Sequence, residues 1–222
     1  MCNESVIEFF IENSTLDEFK EKRVIEVGSK YVNGSVRPFI EKFLRPKEYV
    51  GVDIEMGKYV DSIVPAERLV EEFGEESFDI LVSTELLEHV SDWRNVIDNF
   101  KRTLKKDGLL FLTTRSLGFP YHGYPYDFWR FEIEDFKKIF SDSNIIVLER
   151  DLVSPGIFLK ARRPKIFSEL IDLSKLELYS MVLGERTARI PFTDEMGLLR
   201  KARIKFDTVY NITSACIQSI RR

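Results

Sequence analysis

Arg23-Val-Ile-Glu-Val-Gly28-Ser, answered by Tyr49-Val-Gly-Val-Asp53, decides the architecture. Each is a short β-branched run ending at a turn, the first at an acid and a glycine, the second at a lone aspartate. An apolar helix, Val36 to Leu44, is predicted between them. The unit reads strand–loop–helix–strand. Glycine at the first turn lets the backbone approach a ligand closely. An aspartate at the tip of the next strand can take both hydroxyls of a ribose. An adenosine-containing cofactor is the expectation.

Outward from this unit the elements alternate. A leading helix is predicted over Val6–Phe19, a short strand at Val60–Val64, and a helix from Ala66 to Phe73 that ends at Gly74. Phe78-Asp-Ile-Leu-Val-Ser83 reads as a strand. Ser91 can cap the helix that follows, whose apolar stripe is Trp93, Val96, Ile97, Phe100 and Leu104 and whose last turn carries Lys105 and Lys106 before Gly108. Leu109–Thr113 is the next strand, then a helix with Ile133, Phe136, Ile139 and Phe140. Ile145–Glu149 and Ile157–Ala161 form two last strands, joined at Ser154-Pro155-Gly156. So short a link implies an antiparallel pair. The pattern predicts a doubly wound α/β sheet of seven strands, mostly parallel, with a terminal antiparallel hairpin and a helical C-terminal extension.

The chain has 222 residues and 44% hydrophobic content, enough for one domain with a generous core plus an appendage. Cys2 and Cys216 lie near opposite ends without a metal-ligand partner at short spacing, so no metal is expected and a reducing compartment suits them. No apolar run reaches the length of a membrane span, and Glu4, Glu8 and Glu12 are unlike a signal peptide. The expected location is the cytoplasm. The net charge of −4 is uneven: from Lys160 onward 13 Lys/Arg face 7 Asp/Glu, a net +6, which leaves −10 for residues 1–159. The basic residues are spread out, which suits a solvated face better than a nucleic-acid surface.

Together the segments resemble the class I S-adenosylmethionine-dependent methyltransferases, most closely the type-11 methyltransferase-domain subgroup. Those that carry the resemblance are Val-Ile-Glu26-Val-Gly28-Ser, Val-Gly-Val-Asp53-Ile, Phe-Asp79-Ile-Leu-Val-Ser-Thr-Glu85-Leu-Leu-Glu88-His89-Val and Leu-Lys-Lys-Asp-Gly108-Leu-Leu. It spans roughly residues 20–162, which implies a Rossmann-like cofactor-binding domain over 1–162 and an extension over 163–222. The resemblance implies roles position by position. Glu26 would help to bind the methionine amino group through the loop or a water, Gly28 and Ser29 would form the cofactor loop, and Asp53 would hold the ribose. Ile54 would lie against adenine, Ala66 and Glu67 would meet its edge, and Thr84 and Glu85 would end a strand beneath the sulfonium. The family's second and third loop glycines fall on Lys30 and Val32 here.

The other unusual stretch is Arg115-Ser-Leu-Gly-Phe-Pro-Tyr121-His122-Gly-Tyr124-Pro-Tyr126-Asp127-Phe-Trp129-Arg130-Phe131. It follows a strand whose carboxyl end opens on the crevice in such folds. Phe128, Trp129 and Phe131 are expected in the core, with Asp127 paired to Arg130. Tyr121, Arg115 and Arg130 are candidates for substrate binding. His122, His89 and Tyr124 are candidates for catalysis, histidine because its pKa lies near neutrality. For His89 a packing role competes.

The expected activity is methyl transfer from S-adenosyl-L-methionine to a small-molecule or carbohydrate-like acceptor. Two other classes stay open. An NAD(P)-dependent oxidoreductase would need glycine where Lys30 and Asn33 stand. A methyltransferase-like binding protein without turnover is compatible with Lys30 and Val32. The extension carries Leu170, Leu173, Leu176, Leu178, Met181 and Leu183, followed by an expected helix from Asp194. It is too apolar for solvent, so it should pack on the domain, cover the crevice or form a homodimer.

Overall fold

The computed structural model describes residues 3–123, 126–164 and 172–190. Strands β1 (Arg23–Val27), β2 (Glu48–Asp53), β3 (Ser62–Ile63), β4 (Phe78–Thr84), β5 (Leu104–Arg115), β7 (Asn144–Arg150) and β8 (Gly156–Arg162) form one sheet in the order β3-β2-β1-β4-β5-β8-β7. The pairs from β3 to β5 are parallel, while β8 runs antiparallel to both β5 and β7. The turn before Gly156 thus makes the expected hairpin. Strand order reverses between β1 and β4, so a crevice opens at their carboxyl ends.

Alternation along each strand supplies two apolar faces. Val24 on β1, Ile80 and Val82 on β4 and Phe111 on β5 face one side. There they meet Phe9 and Phe10 of α1 (Glu4–Asn13), Phe19 of α2 (Leu16–Phe19) and Ile40 just after α3 (Arg37–Phe39). Ile25, Val27, Leu81, Leu110 and Leu112 face the other side. Their partners include Phe73 of α4 (Leu69–Phe73), the stripe of α5 (Trp93–Thr103) and Phe136 and Ile139 of α6 (Ile133–Ile139).

Several local expectations are corrected. The leading helix is two helices. Thr15 starts a new capping box with Glu18, so its side chain competes with continuation of the first helix. The Val36–Leu44 helix is a single α-helical turn continued by a π turn at Ile40–Leu44. The helix before Gly74 begins as a 3-10 turn at Ala66–Arg68. Asp92, not Ser91, caps α5 by accepting from the Asn95 amide at 3.3 Å. That helix stops at Thr103, so Lys105 and Lys106 lie on β5, where Lys105 pairs with Asp79 at 3.1 Å.

A second, three-stranded antiparallel sheet, β10-β9-β6, joins β6 (Trp129–Arg130) to β9 (Leu178–Ser180) and β10 (Glu185–Thr187). Part of the predicted extension therefore packs on the domain: Leu178 is fully buried, and Arg94 of α5 donates to the Leu173 and Leu176 carbonyl oxygens at 2.7 and 2.6 Å. The expected helix from Asp194, Leu170, and both cysteines lie outside the described residues. Among the described residues no helix is long and apolar enough to cross a membrane.

Candidate functional site

A cleft of about 410 Å³ opens at the carboxyl ends of β1, β2 and β4. Val27 and Gly28 leave β1 into it, Asp53 and Ile54 leave β2, and Glu85 and Leu86 leave β4. Gly28 has φ +81°, and a Cβ there would lie 3.2 Å from the Leu86 side chain, so glycine is required for shape and for approach. Gly51 is required as well, since a Cβ on it would lie 2.2 Å from the Tyr59 carbonyl oxygen. Asp53 ends β2 with its carboxylate accepting from the amides of Lys30 at 3.1 Å and Glu55 at 3.3 Å. Ile54 beside it is 58% exposed, an apolar side chain presented to the cleft. Ala66 and Glu67 close the same wall, and Lys30 and Val32 line the loop side. Lys30 reaches Glu55 at 2.5 Å.

Of the nine expected cofactor residues, Gly28, Asp53, Ile54, Ala66, Glu67 and Glu85 line the cleft. Glu26, Ser29 and Thr84 are buried behind it. Period two puts Glu26 on the Val24 face, where the Tyr49 hydroxyl donates to it at 2.9 Å. Burial there pushes its carboxyl up to about 7, against the opposing pull of Tyr49 and Arg37. Glu26 therefore stands behind the cleft and not on its lining. Glu85 has φ +54°, a costly conformation for a side-chain-bearing residue. It is held by its amide, which donates to the Thr113 carbonyl oxygen at 2.9 Å, and by a buried ion pair with Arg115.

The loop between β5 and β6 forms a second cluster behind the cleft wall. Arg130 is fully buried and grips Asp127 through two bonds of 2.5 and 2.6 Å, while also donating to the Phe119 and Pro120 carbonyl oxygens. Arg115 is taken up by Glu85 and lies 4.1 Å from the centre of the Phe119 ring. Both arginines are engaged inside the fold, so neither is presented to a substrate. Trp129 and Phe131 are core, as expected, whereas Phe128 is half-buried on the cleft wall. Tyr121 is half-buried and outside the cleft lining, and Tyr124 lies outside the described residues.

His89, in the 3-10 turn after β4, lines the cleft and has Nδ1 2.6 Å from the Tyr126 carbonyl oxygen. His122 stands behind it, with ring centres 4.7 Å apart. Its Nδ1 is 3.0 Å from Asp127, and its Nε2 is 3.5 Å from Glu88. Burial lowers the His122 pKa, but Asp127 and Glu88 outweigh it and lift the imidazole to about 9. Burial likewise pushes Glu88 up, yet His122 and His89 hold it down to about 2. A cationic His122 has no lone pair to accept a proton at neutral pH, which argues against its expected use as a base. The sequence pointed to no site role for Glu88 or Tyr126 and to a core position for Phe128. The Glu88-His89 pair was the available signal, but only the fold brings His122 to it.

A family model described as a methyltransferase domain matches residues 4–145. No curated protein matches the chain. Among solved structures, the [4+2]-cyclase SpnF is similar at 14% identity with a TM-score of 0.56, over 72% of this chain and 80% of that one. The Burkholderia thailandensis 1,6-didemethyltoxoflavin-N1-methyltransferase, solved with 1,6-didemethyltoxoflavin and S-adenosylhomocysteine, is similar at 13% identity with a TM-score of 0.53, over 65% and 72%. The CurJ carbon methyltransferase gives 15% identity and 0.52, over 72% and 52%. Likeness at these identities speaks for the fold. The family match, over more than half of the chain and on the glycine turn, aspartate tip and cleft described above, goes further: the chain belongs to the methyltransferase-domain family, in class I.

Proposed function

We propose that the chain uses S-adenosyl-L-methionine to methylate a small-molecule or carbohydrate-like acceptor. The observation that carries this reading is the convergence of Asp53, Ile54 and the Gly28 turn on one cleft at the point where strand order reverses. The donor set suits the cofactor. Asp53 would accept from the ribose hydroxyls, exposed Ile54 would cover an adenine face, and Glu67 and Ala66 would border the ring edge. The Gly28 turn would run beside the methionine portion, with Lys30 within reach of a carboxylate. When bound, the cofactor supplies a methyl group already activated on sulfonium. The chain's part is to align the acceptor and exclude water. Tyr126 and Phe128 offer an apolar entry for that acceptor, and His89 is the histidine nearest to it.

Calorimetry with S-adenosylhomocysteine tests the reading. Wild type should bind and melt at a higher temperature with ligand present. Asp53→Ala should lose about 1.5–3 kcal/mol of affinity, the scale of charge-assisted hydrogen bonds. Equal affinity in the two proteins would remove the ribose assignment, and tighter binding of NADH would favour the oxidoreductase. A second reading, binding without turnover, draws on Lys30 and Val32, which bring side chains to a wall where the family's loop has glycines. Tight cofactor binding with no methyl transfer to any acceptor would favour it.

A further inference from the structure

We propose that Glu88, His89 and His122 form a binding site for a divalent first-row transition ion at the wall of the cleft. The chain contains two histidines, and the fold brings both to one place. Each of the three residues offers a ligand atom within 4.8 Å of the other two. The Glu88–His122 edge is 3.5 Å. A tetrahedral ion with bonds of about 2.0–2.1 Å sets its ligands roughly 3.3–3.4 Å apart, so this edge is already at coordination distance.

The hydrogen bonds around the three residues are those a metal site needs. Glu88 is fully buried; its Oε2 accepts from the Thr114 hydroxyl at 2.8 Å, and its Oε1 has no hydrogen-bond partner. Its neighbour is His122 Nε2, 3.5 Å away and likewise without a hydrogen bond, so the two meet as a long ion pair. Asp127, fixed by Arg130, holds His122 at Nδ1, and the Tyr126 carbonyl oxygen holds His89 at Nδ1. Acceptors at Nδ1 orient both rings and leave Nε2 as the nitrogen to coordinate, on His122 once the ion displaces the Nε2 proton to solvent. This is the outer-shell pattern of histidine–metal sites. Two imidazoles and one carboxylate select borderline ions such as Zn²⁺ or Co²⁺ over Mg²⁺ or Ca²⁺. Three protein ligands leave a position for water, and His89 places that position beside the cleft. If the methyltransferase reading holds, on which this clause alone rests, an acceptor oxygen would occupy it.

Without an ion the same atoms form a plain ion cluster of His122 with Glu88 and Asp127, and the two arrangements respond differently to metal. The test uses the untagged full-length chain, labelled with ¹⁵N and freed of metal by chelation. Zn²⁺ is titrated while the imidazole nitrogens are followed by NMR. Having two histidines makes the spectrum assignable. The expected result is that the Nε2 signals of both rings move together and saturate at one ion per chain, that Co²⁺ gives visible d–d bands which Zn²⁺ removes, and that excess Mg²⁺ does neither. Loss of an outer-shell partner costs about 10–100-fold in affinity. His89→Ala and Glu88→Gln should therefore cost at least tenfold. His89 is the less buried of the two, so its variant keeps the test alive if Glu88→Gln fails to fold. Imidazole signals unmoved by excess Zn²⁺, or equal affinity in wild type and His89→Ala, would overturn the site. Because nothing here is read from activity or cofactor affinity, failure of the metal site leaves the methyltransferase reading to its own test.

Discussion

Glu26 is 1% exposed, and this burial, against the opposing hydrogen bond from Tyr49, makes it hold its proton more tightly in the folded chain than in the unfolded one. Burial sets the direction, up from 4.5 to about 7. The folded state therefore binds more protons than the unfolded state between those values. Stability falls as pH rises through that window, and the loss is complete above it. A shift of this size corresponds to about 3 kcal/mol. Glutamine can still accept from Tyr49 and carries no charge. Glu26→Gln should therefore gain on wild type by up to about 3 kcal/mol between pH 5 and pH 8 in urea unfolding. An unchanged difference at the two pH values would show that Glu26 is ionised throughout. Residue by residue, the sequence was most readable where backbone geometry dictates identity. Gly28 needs its positive φ and Asp53 ends a strand, so both stand where expected. The surroundings of Glu26 and His122 were not legible, for one reason: whether a side chain meets the cleft or a buried partner depends on which face it occupies and on what lies opposite.

Among the elements, the loop between β5 and β6 is organised around the buried Asp127 carboxylate, which holds Arg130 and, on one oxygen, His122. Arg130 and Asp127 are both fully buried at their side chains and joined by two bonds, and Arg130 also gathers the Phe119 and Pro120 carbonyl oxygens. Removing Arg130 leaves Asp127 buried with His122 as its remaining cation, so the cost should be about 3 kcal/mol, the low end for a broken buried pair. Arg130→Ala should lose that much in urea unfolding. Arg130→Lys should recover little, since an ammonium cannot make the planar two-toothed contact. Asp127→Leu combined with Arg130→Met should be less damaging than Arg130→Ala alone, because neither member of the pair is left without the other and His122 keeps Glu88 as its counter-ion. Equal stability of Arg130→Ala and wild type would mean that the loop is held by its aromatic contacts instead. The sequence did give the partnership of Asp127 with Arg130, from their spacing. It did not give the termini of helices. Thr15 begins a second helix and Asp92 outcompetes Ser91, choices made by local side-chain–backbone bonds that periodicity does not register.

At the scale of the molecule, alternating elements made the seven-stranded, mostly parallel sheet and its terminal hairpin legible, because parallel crossovers leave few topologies open. The small second sheet was not foreseen, since strands of two or three residues carry no periodic signal. Yet it binds the chain after Arg162 to the domain. β9 is the partner of β6, Leu178 is buried in the core on the α5 side of the main sheet, and Arg186 pairs with buried Asp135. Deleting residues 163–222 should therefore leave β6 unpaired, strip Arg94 of two carbonyl partners and uncover the apolar surface beneath Leu178. Loss of one buried leucine alone is worth about 2 kcal/mol. For a domain of this size that corresponds to a fall in melting temperature of roughly 4–8 °C, with aggregation from the exposed patch. A chain ending at Ile190 retains each of these contacts and should melt within a few degrees of wild type, measured by calorimetry at equal concentration. If the chain ending at Arg162 melts as high as wild type and stays monomeric, the small sheet adds nothing to stability. If the chain ending at Ile190 falls as far as the shorter one, the stabilising contacts belong to residues 191–222.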